Sequence, residues 1–236
     1  MTVVLLDLDN TILNTDKNLK RLYRVLDKSG LLEDFLKIYQ DSKSIFGYAN
    51  INFVLKQLTP ALKKQGLSKA RVISIITTIN LIPHSQELLR FLIGRELKFY
   101  IFTDGNKNIQ QEKIKKLQKQ LGLNNLKAII KKNKAEKIIQ IIKQYGFQQQ
   151  SLIVIDDKLK VLQTIKKKTA KHKLKLYCIW HCFGRHNQDY LENKPADNKV
   201  VEQTGIKPFF SLREILNYLK TLVEVPGLEP GSEKAL

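Results

Sequence analysis

Val3-Val4-Leu5-Leu6-Asp7-Leu8-Asp9-Asn10-Thr11 sets a short, wholly apolar run directly before two carboxylates spaced by one residue. Four apolar residues, two of them Val, fit a strand buried on both faces of a parallel sheet; by length alone the run also fits buried helix. The polar, turn-prone residues from Asp7 to Thr11 end the element there. In an open α/β sheet the carboxyl end of a central strand opens into the ligand crevice. Two carboxylates about 4 Å apart at such an end repel by roughly 4 kcal/mol at an effective dielectric near 20. An anionic ligand would be repelled as well, unless a cation joined them. The competing reading is an acidic turn that caps the next helix.

Outward from this stretch the chain falls into two patterns. From 15 to 81 it is helical. Leu19, Leu22, Tyr23 and Leu26 mark one face before Ser29-Gly30 breaks the segment. The spacing predicts further helices over 31–40, 50–58, 60–65 and 68–80, with Thr59 as an N-cap and Pro60 in the first turn of its own helix. From 83 onward helix and strand alternate: helices over 83–94, 107–121, 135–145, 158–170 and 211–223, strands over 97–102, 126–130, 152–155 and 174–180, and a last short strand near 199–201.

Short connections of this kind fit right-handed βαβ crossovers. The expected fold is therefore α/β, a Rossmann-like parallel sheet with helices on both faces and an α-helical cap inserted after the first strand. The expected domains are a catalytic core over 1–14 and 82–223 and a cap over 15–81. The Pro- and Gly-bearing tail, 224–236, is expected to be disordered.

Composition narrows the classes. At 236 residues and 43% hydrophobic, the chain can build a real core. No apolar run nears the roughly 18 residues a membrane span needs, so no membrane partner is expected. The start lacks a basic n-region and reaches Asp7 after a few apolar residues, unlike a secretory signal; a cytoplasmic location is expected. Cys178 and Cys182, near His181 and His186, do not have zinc-finger spacing and read as reduced thiols. The net charge of +19 is the outlier. It admits nucleic acid as a partner, but the lysines spread over several segments, and the joint abundance of Lys, Ile, Asn and Gln fits a coding bias, which is favoured. Nothing in the sequence fixes an oligomeric state.

Three apolar strands end in polar clusters: Asp7/Asp9, Thr103/Asp104 and Asp156/Asp157. If those strands are neighbours, the clusters meet at one sheet edge. Several carboxylates with few neutral partners call for a hard cation there. Mg²⁺ takes such oxygen ligands and keeps waters that a phosphate oxygen can replace.

In these motifs the sequence resembles the haloacid dehalogenase-like superfamily, in its phosphatase branch. Asp7-Leu8-Asp9-Asn10-Thr11 is similar to that family's first motif, Asp-x-Asp-x-Thr after an apolar strand. Thr103-Asp104-Gly105 is similar to the second, a strand ending in Thr or Ser, and Asp156-Asp157 to the acidic pair of the fourth. The stretch from Thr103 to Leu123, with Gln111, Lys113 and Gly122-Leu123, resembles the subfamily whose helical cap follows motif one.

The resemblance implies roles. Asp7 would be a nucleophile forming an aspartyl-phosphate, and Asp9 an acid and base for the leaving oxygen and then for water. Thr103, Asp104 and a lysine would bind phosphate. Asp7, the Asp9 backbone carbonyl and the pair Asp156-Asp157, with Asp157 preferred as the direct ligand, would hold Mg²⁺. In the family's dehalogenases the second aspartate is absent, because halide leaves without a proton; Asp9 thus favours phosphoryl chemistry.

Two features depart from the pattern. The lysine is often followed by Pro, whereas here Lys134-Ala135 stands among Lys131, Lys132 and Lys137; Lys134 fits best, at an expected helix start. The acidic pair is followed by Lys158 and lacks an acid at Val161. The expected activity is hydrolysis of a small phosphorylated metabolite. The alternative is a basic nucleic-acid-binding protein on the same fold, or a phosphatase of nucleic-acid ends.

Overall fold

Val3, Val4, Leu5 and Leu6 are fully buried because β1 (Thr2–Leu6) lies in the middle of a six-stranded parallel sheet. The structure, a computed structural model, describes residues 2–46, 50–183 and 205–224. The other strands are β2 (Lys98–Thr103), β3 (Ala128–Ile130), β4 (Ser151–Asp156), β5 (Leu176–His181) and β6 (Lys207–Phe209). Their order is β3-β2-β1-β4-β5-β6, every pair parallel.

Alternation along the strands divides the core between two faces. Val4, Leu6, Ile101, Ile155 and Ile179 pack against α5 (Ser85–Gly94), α6 (Lys107–Leu121) and α9 (Leu212–Glu224). Val3, Leu5, Phe102, Val154 and Trp180 pack against α7 (Ile138–Gln144) and α8 (Leu159–Thr169). Each such side chain contributes about 1.5–3 kcal/mol by leaving water. This is the expected Rossmann-like arrangement, and it puts the carboxyl ends of β1, β2 and β4 side by side. Leu6 pairs with Ile101 on one flank and Ile155 on the other.

Between β1 and β2 the chain makes α1 (Thr15–Asp27), α2 (Leu32–Phe46), α3 (Ile51–Lys64) and α4 (Lys69–Ile76). These helices share a second core of Leu22, Leu26, Phe35, Leu55, Leu58 and Ile75, which Ile109 of α6 joins. The two connections to the sheet run side by side. Leu13 bridges Leu81, the Asn14 amide donates to the Asn80 carbonyl at 2.7 Å, and the Ile82 amide donates to that of Ile12 at 3.0 Å. Asn80 Nδ2 donates to Asn18 Oδ1 at 2.5 Å, which fastens α1 to the connection that returns to the sheet.

Local details correct the sequence reading. Residues 50–58 and 60–65 are one helix, α3, with Pro60 inside it. Leu55, Leu58 and Leu62 are buried on either side of Pro60, so the continuous apolar stripe overrides the missing N–H. The helix over 68–80 stops at Ile76, and Ser68 caps it by accepting from the Arg71 amide. Lys134 is not at a helix start: residues 132–137 form turns, and α7 begins at Ile138. The strand expected near 199–201 and the tail from 225 lie outside the described residues, whereas β6 was not foreseen. Among the described residues no helix is long and apolar enough to cross a membrane.

Candidate active site

Asp7 leaves β1 with its amide bonded to the Ile155 carbonyl at 2.9 Å, which fixes its backbone against β4. The chain then closes a tight loop. The Ile12 and Leu13 amides donate to the Leu8 carbonyl at 3.0 and 2.9 Å, and Asn10 sits in the left-handed region at φ 59°. Asn tolerates that conformation better than most residues. Its side-chain oxygen accepts from the Thr15 amide at 3.1 Å and hydroxyl at 2.8 Å, tying the loop to the start of α1. Thr11, wholly buried, donates from Oγ1 to Asp7 Oδ2 at 3.3 Å.

Lys134 is the centre of charge. Its Nζ, 4% exposed with its residue, donates to Asp7 Oδ1, to the Phe102 carbonyl at 2.7 Å, and pairs with Asp156 Oδ2 at 2.7 Å. One ammonium therefore joins the ends of β1, β2 and β4. Burial alone would lower the Lys134 pKa, but the Asp156 and Asp7 charges outweigh it and raise the value. Asp7 is pushed up to about 6, first by burial and then by Asp156, with Lys134 and Lys158 opposing. Burial, Asp7 and Asp156 also raise Asp157 well above the carboxylate range.

Asp7, Asp156 and Asp157 each bring one oxygen within 4.8 Å of the others. Trp180 Nε1 donates to the Asp157 carbonyl at 2.9 Å, and Asp156 Oδ1 accepts from the Lys158 amide at 2.9 Å. The second contact is a local turn ahead of α8, whose N-cap residue Lys158 makes no side-chain capping bond. It occupies one oxygen and leaves the cluster intact. Three buried carboxylates, with the charges of Lys134 and Lys158 acting on them, make an all-oxygen set of the kind that suits Mg²⁺.

The remaining predicted residues surround this cluster. Thr103 is 1% exposed, and its hydroxyl makes only a long 3.4 Å contact to the Asp104 carbonyl. Asp104 Oδ2 accepts from the Asn133 amide at 3.1 Å, so its carboxylate steadies the turn that carries Lys134. Asp9 stands apart from the three-carboxylate cluster. Lys113 Nζ reaches its Oδ1 at 2.6 Å and Gln110 Nε2 its Oδ2 at 2.7 Å. Burial would raise the Asp9 carboxyl, but the Lys113 charge and both hydrogen bonds bring it below its ordinary value.

Lys113 and Gln110 hold the Asp9 carboxylate, and neither is assigned a role from the sequence. Gln111, one residue on, lies instead in a separate surface hollow with Lys107 and Gln118. The signal was present: Gln110, Lys113, Ile114 and Leu117 share one helical stripe, and a lysine on an apolar stripe needs a buried acid. Cys178 and Cys182 are free thiols, both pushed up to about 12 by burial.

A family profile described as haloacid dehalogenase-like hydrolase matches residues 1–167. The chain belongs to that family. No curated protein sequence matches it. Solved structures of the family share its fold at low identity. A haloacid dehalogenase-like hydrolase from Burkholderia xenovorans is 19% identical with a TM-score of 0.63, covering 91% of this chain and 97% of its own. The HAD-hydrolase YfnB of Bacillus subtilis, solved bound to magnesium, is 15% identical with a TM-score of 0.55 over 95% and 98%. A dehalogenase is likewise 15% identical, with a TM-score of 0.55 over 95% and 97%. At these identities the likeness speaks for the hydrolase fold, and the chemistry has to be argued from the site.

Proposed function

We propose that this haloacid dehalogenase-like hydrolase is a Mg²⁺-dependent phosphohydrolase that acts on a small phosphorylated metabolite. The observation that carries this reading is Asp9, a second carboxylate two residues beyond Asp7 and held by two buried donors. A halide departs as a stable anion, so dehalogenation has no use for such a group. An alkoxide leaving from phosphorus needs a proton, and later a water must lose one.

In the first step an Asp7 oxygen attacks phosphorus and the bond to the leaving oxygen breaks, with a proton passing to that oxygen from Asp9, which takes the proton up from solvent as the anionic substrate binds beside it. In the second, water attacks the aspartyl-phosphate, Asp9 takes the water's proton, and phosphate leaves as Asp7 is restored. Lys134 and the Thr103 hydroxyl are the donors for the phosphoryl oxygens. Asp104 contributes by holding the Lys134 turn. Asp7 and Asp157, with Asp156 and the Asp9 carbonyl beside them, would hold Mg²⁺, which supplies positive charge against the phosphoryl group. The magnesium bound to YfnB supports this choice of ion.

Helices α1 to α4 serve as a cap over the site and select the substrate. Their own core, shared with the sheet layer through Ile109 of α6, and the paired connections at Leu13 and Leu81 support movement as one body. Hydrolysis of an aryl phosphate, with and without Mg²⁺, tests the reading on the native chain and Asp7→Asn. Metal-dependent turnover abolished by the substitution is expected. No turnover by the native chain, with salt-sensitive binding of DNA or RNA, would instead favour the nucleic-acid reading raised by the +19 charge.

A further inference from the structure

Both oxygens of Asp9 are engaged by one helix. Lys113 and Gln110, three residues apart on α6, are 5% and 4% exposed, and each sends its polar end to a different Asp9 oxygen. A buried lysine beside an apolar stripe costs more than an isosteric apolar residue unless its charge is used. The ion pair at 2.6 Å uses it on a single carboxylate.

The loop after β2 is shaped around the same contact. Gln110 Nε2 also donates to the Asp104 carbonyl at 2.9 Å. Gly105 adopts φ +125°, and a Cβ on it would meet that same Nε2 at 3.0 Å. Glycine is thus required here twice, for its backbone conformation and for the space the Gln110 amide occupies. The amide's orientation is fixed by its partners, since turning it over would set Oε1 against Asp9 Oδ2. The Asn106 side chain, accepting from the Asn108 and Ile109 amides at 3.1 and 3.2 Å, caps α6 one turn before Gln110 and sets the helix's start.

Building on the reading of Asp9 as acid and base, we propose that Lys113 and Gln110 are positioning residues that fix the Asp9 carboxylate for the leaving oxygen before substrate arrives. Neither touches the Asp7–Asp156–Asp157 cluster in the contacts above, so their role is separable from phosphoryl binding. Preorganisation of this kind acts on the step in which the proton moves and leaves ground-state binding unchanged. Its weight depends on the leaving group. An alkoxide needs the proton, whereas 4-nitrophenolate departs almost unaided.

The test measures kcat and KM with Mg²⁺ on 4-nitrophenyl phosphate and on an alkyl phosphate such as glycerol phosphate. The variants are Lys113→Met, Lys113→Arg, Gln110→Met and Gly105→Ala. Lys113→Met is expected to lower kcat/KM, which reports the step that releases the leaving oxygen, by roughly 100-fold on the alkyl ester, within the range of lost acid–base catalysis, and by less than about 10-fold on the aryl ester. Lys113→Arg should recover part of the loss. Gln110→Met and Gly105→Ala should show the same leaving-group bias more weakly, which keeps the proposal open to test if Lys113→Met does not fold. Equal losses of kcat/KM on both esters in an otherwise active native enzyme would overturn the positioning role while leaving the phosphatase reading intact. A native chain that hydrolyses neither ester overturns both. In that event a double-mutant cycle of Asp9→Asn with Lys113→Met, read by denaturant unfolding, still reports whether the two side chains couple.

Discussion

Lys134 Nζ lies 2.7 Å from Asp156 Oδ2 while donating to Asp7 Oδ1, so a single ammonium holds together the ends of two neighbouring strands. The sheet order puts β1 beside β4, but their terminal carboxylates would force them apart without this cation. Lys134→Met is accordingly expected to destabilise the fold by about 3–5 kcal/mol, as when one partner of a buried pair is removed. Denaturant unfolding at neutral pH reads the change. A loss below about 1 kcal/mol, the range of exposed pairs, would show that the contact is not structural.

Asp157→Asn should separate stability from metal affinity. Burial and the charges of Asp7 and Asp156 work against an ionised Asp157, so without metal the variant should melt at or above the native temperature. With Mg²⁺ at about 100 times the native Kd, the native chain should gain about 2.7 kcal/mol, and the variant should lose most of that gain. Thermal scans over a Mg²⁺ series give both numbers.

His181 predicts an acid limb. Its ring is fully buried at the end of β5, stacked 5.6 Å from Phe183, and burial pulls its pKa down to about 4. The unfolded chain, with a value near 6.5, binds the proton first. The stabilising effect of keeping the ring neutral is complete above about pH 6.5 and is lost as pH falls toward 4, by on the order of 3 kcal/mol. His181→Leu should flatten that part of the stability curve; an unchanged slope between pH 6.5 and 4 would contradict the assignment.

Pro60→Ala should stabilise the protein. Inside α3 the proline removes a helical donor, a defect of about 3 kcal/mol, offset by up to about 1 kcal/mol of lost unfolded-chain entropy. A gain near 2 kcal/mol in denaturant unfolding is expected.

What the sequence revealed and what it hid follow from the range of the interactions. The burial of Val3 to Leu6 and the alternation after 83 are local patterns, and they led to the parallel sheet and to three polar strand ends on one edge. Asp7, Asp156 and Lys134 meet as expected because strand neighbours dictate it. The pairing of Asp9 with Lys113 spans 104 positions and depends on how α6 leans over the β1 loop, which no local pattern encodes. Pro60 was misread for the opposite reason: a strong local signal yielded to the buried stripe of Leu55, Leu58 and Leu62. The turn at Lys134 depends on Asn133 at φ 55° and on the Asp104 carboxylate, contributed by a different strand end.

The most direct test of the account is to catch the intermediate on Asp7. The native chain is mixed with 4-nitrophenyl phosphate and Mg²⁺, quenched during turnover, reduced with borohydride and mapped by peptide mass. An acyl phosphate on Asp7 predicts homoserine at that position, in the peptide spanning Val3 to Thr11, and none in Asp7→Asn. Steady turnover with no modification at Asp7, or modification at another residue, would contradict the central claim.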